Sequence, residues 1–195
     1  LLPMVDAMLK NADLTLDDIN AIAIAAGPGS FTGLRIGIAA VKGLAWAADK
    51  PCLGVSTLEA MAQNAAHIDG LIVGAMDARR SQVYNAVFEA KGGELTRLTP
   101  DRAISLEELC AQFQGKQQPI TVLGDGGLLC YRYLEEHGVK CLLAPSMLLY
   151  QSAVGVGLAA ERAYARGEAV SAQELLPVYL RPAQAERLRS SKLNQ

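Results

Sequence analysis

Apolar residues Leu1, Val5, Met8 and Leu9 recur at the spacing of one helix face, while Asp6 and Lys10 form an i,i+4 pair on another. The pattern predicts an amphipathic helix over Leu1 to Lys10 that starts without a capping residue. The first residues carry no initiator Met, so the expectation is a fragment whose natural beginning lies upstream. Thr15 and Asp18 stand three apart, as in a capped turn, and Ala21 to Ala26 reads as a fully buried strand ending at Gly27-Pro28-Gly29. A helix over Thr32 to Ala47 follows, then a strand near Cys52 to Val55 and a helix from Thr57 to Ala66, capped by Ser56 or Thr57.

Beyond Gly70 the apolar run Leu71 to Met76 predicts a buried strand, and the alternation from Gln82 to Phe88 predicts a second. Lys91-Gly92-Gly93-Glu94 reads as a hairpin turn into Leu95 to Leu98. A helix after the Ser105 cap, a strand at Ile120 to Leu123, a helix at Leu128 to Glu136 and a short strand at Val139 to Leu142 complete the series. The last predicted helix runs unbroken from about Met147 to Ala165, is stopped by Gly167, and is long enough to cross between lobes. Strands and helices alternate, which makes the class α/β.

Composition narrows the picture. Hydrophobic residues are 51% of the 195 positions and charged residues 19%, with only 5% aromatic, so the core is built from small aliphatic side chains. A net charge of -2 announces no basic field for unaided nucleic-acid binding. The four cysteines, Cys52, Cys110, Cys130 and Cys141, contain no CxxC pair, and a reduced cytoplasmic protein is the simplest expectation. No apolar run reaches the length that spans a bilayer.

Gly27-Pro28-Gly29-Ser30-Phe31-Thr32-Gly33-Leu34-Arg35 joins a strand to a helix, where free amides and the helix dipole suit an anion. It is neither a Walker loop, because no Lys-Ser or Lys-Thr closes it, nor a dinucleotide fingerprint, because Thr32 stands where glycine is needed. A plain tight turn stays open as the alternative. The helix it opens is apolar nearly all round: Leu34, Ile38, Val41 and Ala45 form one face, Ile36, Ala40, Leu44 and Ala47 another, and Arg35, Lys42 and Trp46 share a polar strip. Gly33, Gly37 and Gly43 each cost about 1 kcal/mol against alanine, so close approach of a neighbour is expected. The helix is either a central core element or an interface element. The first helix, with Met4 and Met8 beside its apolar face, is a candidate neighbour.

Catalytic groups are few. The two histidines, His67 and His137, fit no HExxH pattern, and no serine lies in GxSxG. Asp77, in Met76-Asp77-Ala78-Arg79-Arg80, follows a predicted strand, where a carboxylate can face a ligand or an Asp-Arg pair can fix a turn. Gly124-Asp125-Gly126-Gly127 is a second strand-to-helix glycine turn, again suited to a nucleotide or to the turn alone.

The string Gly27 to Gly37, followed in order by Gly54-Val55-Ser56-Thr57-Leu58, Asp77-Ala78-Arg79 and Pro177-Val178-Tyr179-Leu180-Arg181, resembles the bacterial TsaB (YeaZ) family over essentially the whole chain. Gln82 stands where that family usually has Glu, and its opening strands with an Asp-Thr phosphate-loop motif have no counterpart here. The resemblance implies an α/β, two-lobed, actin/Hsp70/sugar-kinase-like (ribonuclease H-like) fold lacking its N-terminal strands. Residues 1–58 would be the remainder of the first lobe and 59–146 the second. Residues 147–195 would be a crossing helix and a segment returning to the first lobe.

It implies a catalytically silent partner of TsaD, acting with the ATPase TsaE in forming threonylcarbamoyladenosine on ANN-decoding tRNA. In that family TsaD carries the metal-binding histidines and transfers the group from threonylcarbamoyl-adenylate. It also implies pairing through the first two helices, here Met4, Met8, Gly33, Leu34, Gly37, Ile38 and Val41, a homodimer when the partner is absent, and tRNA contact only through the complex. Asp77, Arg79 and Gly124 become nucleotide-facing candidates for ATP or ADP at the partner interface, with no intrinsic cofactor or metal. Two other readings remain: a glycoprotease-like (M22 type) metallopeptidase homologue and a nucleotide-binding ATPase of the Hsp70/actin class.

Overall fold

The computed structural model describes residues 1–181. Helix α1 (Leu2–Asn11) leads through a 3-10 turn at Leu16–Asp18 to β1 (Ile22–Gly27), α2 (Phe31–Ala47), β2 (Cys52–Ser56) and α3 (Thr57–Gln63). Then come β3 (Gly70–Asp77), β4 (Gln82–Lys91), β5 (Glu94–Arg97), β6 (Arg102–Ser105) and α4 (Leu106–Ala111). The described part ends with β7 (Ile120–Leu123), α5 (Gly127–Glu136), β8 (Leu142–Leu143), α6 (Ser146–Leu149), α7 (Ala153–Ala165) and an extended segment to Arg181.

Two sheets result. β1 and β2 pair in parallel, with α2 as the crossover between them. The larger sheet runs β5-β4-β3-β7-β8, and β6 joins β4 beyond the stretch occupied by β5. β3 is antiparallel to β4 and parallel to β7. Alternation along β3 sends Leu71, Val73 and Ala75 to a core closed by α4 and α5, and Ile72 and Met76 to a core closed by α3. Under α2, Ile38, Val41 and Ala45 pack with Cys52, Ala172 and Leu175. Leu53 and Val55 meet Ala159 and Ala160 of α7, with Ala60 of α3 between them.

Several expectations need correction. No residue of α1 is buried: Leu1 and Met8 are exposed, and Val5 and Leu9 only half-buried, because nothing in the described chain covers that face. β1, expected fully buried, is half-buried through its first four residues, since among the described residues β2 is its one strand neighbour. The helix expected over Met147 to Ala165 is two helices. Tyr150, Gln151 and Ser152 break it; Ser152 caps α7 by accepting from the Gly155 amide, and Asn64 Nδ2 donates to the Tyr150 carbonyl at 2.8 Å. The strand expected at Val139 to Leu142 is confined to Leu142–Leu143. β6 went unread because Arg102 to Ser105 is short and lies beside a helix cap. Residues 182–195, assigned with the returning segment, lie outside the described residues.

Candidate functional site

Two surfaces carry the residues singled out from the sequence. The first is the outward side of α2. Ser30 caps the helix by accepting from the Gly33 amide at 3.3 Å, and period 3.6 then sends Leu34, Ile38, Val41 and Ala45 inward. Leu34, Ile38 and Val41, expected at a partner interface, are therefore core residues at 9%, 4% and 6% exposure. Gly37 also points inward: a Cβ there would stand 3.0 Å from Ile24 Cδ1, so it lets α2 approach β1.

Gly33 and Gly43 face out, and a Cβ on Gly43 would meet nothing within 4 Å. With Thr32, Ile36, Ala39, Trp46 and Ala47 they form an exposed face carrying no charge, on which Ile36 is 63% and Trp46 66% exposed. The two cations of α2 are drawn off it. Lys42 Nζ donates to the carbonyls of Gln173 and Leu175 at 3.0 and 3.2 Å. Arg35 lies over the Phe31 ring, 3.9 Å from its centroid, and donates through Nε to the Tyr179 hydroxyl at 3.1 Å. Met4 and Met8 of α1 are exposed too.

The second surface is a seam where three of the sequence motifs meet. The segment Val178–Arg181 runs from the end of β1 to the turn between β3 and β4. The Val178 amide donates to the Ala26 carbonyl at 2.8 Å. Gly27, at φ +135, makes room for the Val178 carbonyl, which a Cβ would strike. Tyr179 packs on Phe31 with ring centroids 4.9 Å apart. Arg181 donates through Nη1 to the Ala78 carbonyl at 2.7 Å and through Nη2 to Gln82 Oε1. The turn it grips holds Arg79, Arg80 and Ser81 in succession at φ of 62, 57 and 54. Non-glycine residues in that region cost on the order of 1 kcal/mol or more each and persist where surrounding contacts over-determine them.

Asp77 accepts from the Arg79 amide at 2.6 Å and so helps shape the turn. Arg79 and Arg80 are exposed. Asp125 sits on the neighbouring turn after β7. Burial pushes its carboxyl above the ordinary value, the amides of Asp125, Gly126 and Asp77 pull the other way, and the Asp77 charge adds to the rise. Gly124, the third nucleotide-facing candidate, is a buried turn residue at φ +107. Its amide donates to the Leu149 carbonyl at 2.7 Å, and a Cβ would strike the Ala75 carbonyl. It leaves no group for a ligand, so Asp77 and Arg79 alone remain of the three.

The histidines are apart and engaged elsewhere. His137 stacks on Tyr133 at 4.1 Å, and the His67 ring lies beside Gly93 in the β4–β5 hairpin. Among the described residues no three His, Cys, Asp or Glu side chains are grouped to hold a metal ion, and no helix is long and apolar enough to cross a membrane. Sequence reasoning quoted Tyr179 and Arg181 within a motif but gave them no role. The available signal was a lone aromatic and a lone arginine two positions apart in an otherwise apolar stretch.

A family model described as TsaD, tRNA N6-adenosine threonylcarbamoyltransferase, matches residues 1–186. The tRNA threonylcarbamoyladenosine biosynthesis protein TsaB of Bacillus subtilis is 36% identical over 194 residues, covering 95% of this chain and 80% of that protein. The Escherichia coli protein of the same name is 34% identical, covering 93% and 79%. The solved structure of YeaZ from Pseudomonas aeruginosa superposes with a TM-score of 0.77 at 34% identity, covering 92% of this chain and 82% of that one. Fold, length of match and identity together show that the chain belongs to the TsaB (YeaZ) family, with the two-lobed α/β fold of the actin and sugar-kinase type.

Proposed function

We propose that the chain is a non-catalytic subunit in the formation of threonylcarbamoyladenosine on tRNA, and that it works by docking a TsaD-type transferase on the outward face of α2, with the exposed Met4 and Met8 of α1 as further contacts. One observation carries this reading. The face from Thr32 to Ala47 is exposed, uncharged and lined by small residues around Ile36 and Trp46, while Arg35 and Lys42 are held away from it. Small residues allow backbone approach, and apolar anchors at the centre supply the binding energy. The names of the relatives supply the pathway. TsaE belongs to the proposal as a further component, and pairing of two copies over the same face belongs to it when no transferase is present.

The test is co-elution with a TsaD-type transferase, together with reconstituted modification of tRNA. Gly43→Glu has open space for its side chain, so the chain should fold as before. A carboxylate in the centre of a dry interface should weaken pairing by about 30-fold or more and reduce tRNA modification in parallel. Leu142→Glu, on exposed β8, should change neither. Undiminished co-elution of the Gly43→Glu protein would exclude this face.

For nucleotide, the proposal is ATP or ADP at the joint of the two proteins, with Arg79 the exposed cation and Asp77 shaping its turn. Calorimetry should then show binding to the pair that Arg79→Ala weakens. Equal heats from the two pairs would remove Arg79 from the site. The metallopeptidase reading has no ligand group to build on among the described residues.

A further inference from the structure

The segment Val178–Arg181 grips two places, the start of α2 and the turn between β3 and β4. At one end Tyr179 holds Arg35 at the border of the outward α2 face, by its ring against Phe31 and by its hydroxyl. At the other end Arg181 holds the Ala78 carbonyl and the Gln82 side chain, on either side of the left-handed residues Arg79, Arg80 and Ser81. That turn is otherwise closed by the Ala78 amide on the Gln82 carbonyl at 3.0 Å and the Gln82 amide on the Arg79 carbonyl at 3.3 Å. Just ahead of the Tyr179 grip, one backbone hydrogen bond, from the Val178 amide to the Ala26 carbonyl, seats the segment at the end of β1.

We propose that Val178–Arg181 is a strap with a seated and a released state, which couples the α2 face to the Arg79–Ser81 turn. Seated, it keeps the Arg35 charge folded onto Phe31 and off the apolar face, and it holds the turn left-handed. Released, it frees Arg35 beside that face and lets the turn relax. A partner that docks on an uncharged α2 face binds the seated state better, so docking stiffens the turn. By linkage, a ligand that favours the left-handed turn strengthens docking by the same factor. The use given to the coupling rests on the docking reading above; the coupling itself is a property of the chain alone.

Amide hydrogen exchange on the full chain without partner tests it. Tyr179→Ala should raise exchange of the Ala78 and Gln82 amides about tenfold, although the Tyr179 hydroxyl bonds to Arg35 and its ring packs on Phe31, and Arg181→Ala should raise exchange of the Val178 amide similarly. Tyr179→Phe, which removes only the hydroxyl, should give a rise of about threefold at Ala78 and Gln82. Amides of Val73 and Val122, in the middle of the large sheet, should keep wild-type rates and so report an intact fold. Effects confined to the mutated end, or unchanged Ala78 and Gln82 exchange in Tyr179→Phe, would overturn the strap. The co-elution test of the α2 face is unaffected by that outcome, so the two readings fail separately.

Discussion

Three carboxylates repeat one local device. Asp18, Glu108 and Glu174 each fold back onto a hydroxyl residue three positions earlier, and each sits below its ordinary carboxylate value. The Thr15 amide, then its hydroxyl, lowers Asp18; the Ser105 amide, then its hydroxyl, lowers Glu108; the Ser171 hydroxyl, then its amide, lowers Glu174. In each case the folded chain holds its proton less tightly than the unfolded chain. Their contribution to stability is therefore present above the unfolded carboxylate range, about pH 4, and is lost as pH falls through the lowered folded value. NMR titration should show Ser105→Ala, which removes the hydroxyl and keeps the amide, returning Glu108 part of the way toward the ordinary value while Asp18 and Glu174 stay low; a Glu108 that does not move would leave the amide as the main cause. The first two arrangements were readable because hydroxyl and carboxylate stand at fixed spacing before an apolar run. At Gly124 the sequence leaves two readings open, because a glycine turn looks the same whether its amides face a ligand or the chain itself; in the fold the Gly124 amide donates to the Leu149 carbonyl.

Among the elements, α2 shows how far periodicity goes. Leu34, Ile38, Val41 and Ala45 were grouped correctly as one face, but the pattern could not say which of two apolar faces the chain keeps for itself. The glycines settle it, because only the fold distinguishes Gly37, where an added Cβ would stand 3.0 Å from Ile24 Cδ1, from Gly43, which faces open space. Gly43→Ala should therefore stabilise the chain by about 0.5–1 kcal/mol through helix propensity alone. At Gly37 the same gain is opposed by crowding against β1, and its melting temperature should not rise with that of the Gly43 variant. Equal rises for both would mean that the Ile24 side chain gives way freely and that Gly37 does not set the approach of α2 to β1. The break between α6 and α7 escaped notice for a related reason. Tyr150-Gln151-Ser152 contains neither Gly nor Pro, and the interruption depends on Asn64, far away in sequence, which donates to the Tyr150 carbonyl and accepts from the Ser152 hydroxyl.

On the scale of the whole molecule, α3 belongs to two cores. Leu58, Met61 and Ala62 close one face of the large sheet, while Ala60 lies in the cluster of β2 and α7. Gly155 brings α7 so close to the Ala60 carbonyl that a Cβ on it would clash. Alternating strands and helices made the α/β class legible, but nothing in the α3 sequence, which sets Thr57, Glu59 and Gln63 among its apolar residues, marks it as shared by two cores. A helix packed into both cores should make the two sheets unfold as one unit, and the cysteines can report on that. Cys52 is buried in the small sheet, at the start of β2, and Cys110, Cys130 and Cys141 are buried against the large one. Burial pushes the Cys130 thiol up to about 12, with Cys141 adding to the rise, and burial pushes Cys141 up to about 11. Folded, both hold their protons where an unfolded thiol, near 8.5, releases its own, so stability should decline from about pH 8.5 upward. At pH 8 an alkylating reagent should leave the native chain almost unlabelled, since the thiolate is the reactive form. Along a denaturant series, Cys52 and the other three should become reactive at one shared midpoint, read residue by residue by mass spectrometry. A Cys52 that labels at lower denaturant than Cys130 would show the small sheet opening on its own, and α3 would then not join the two cores.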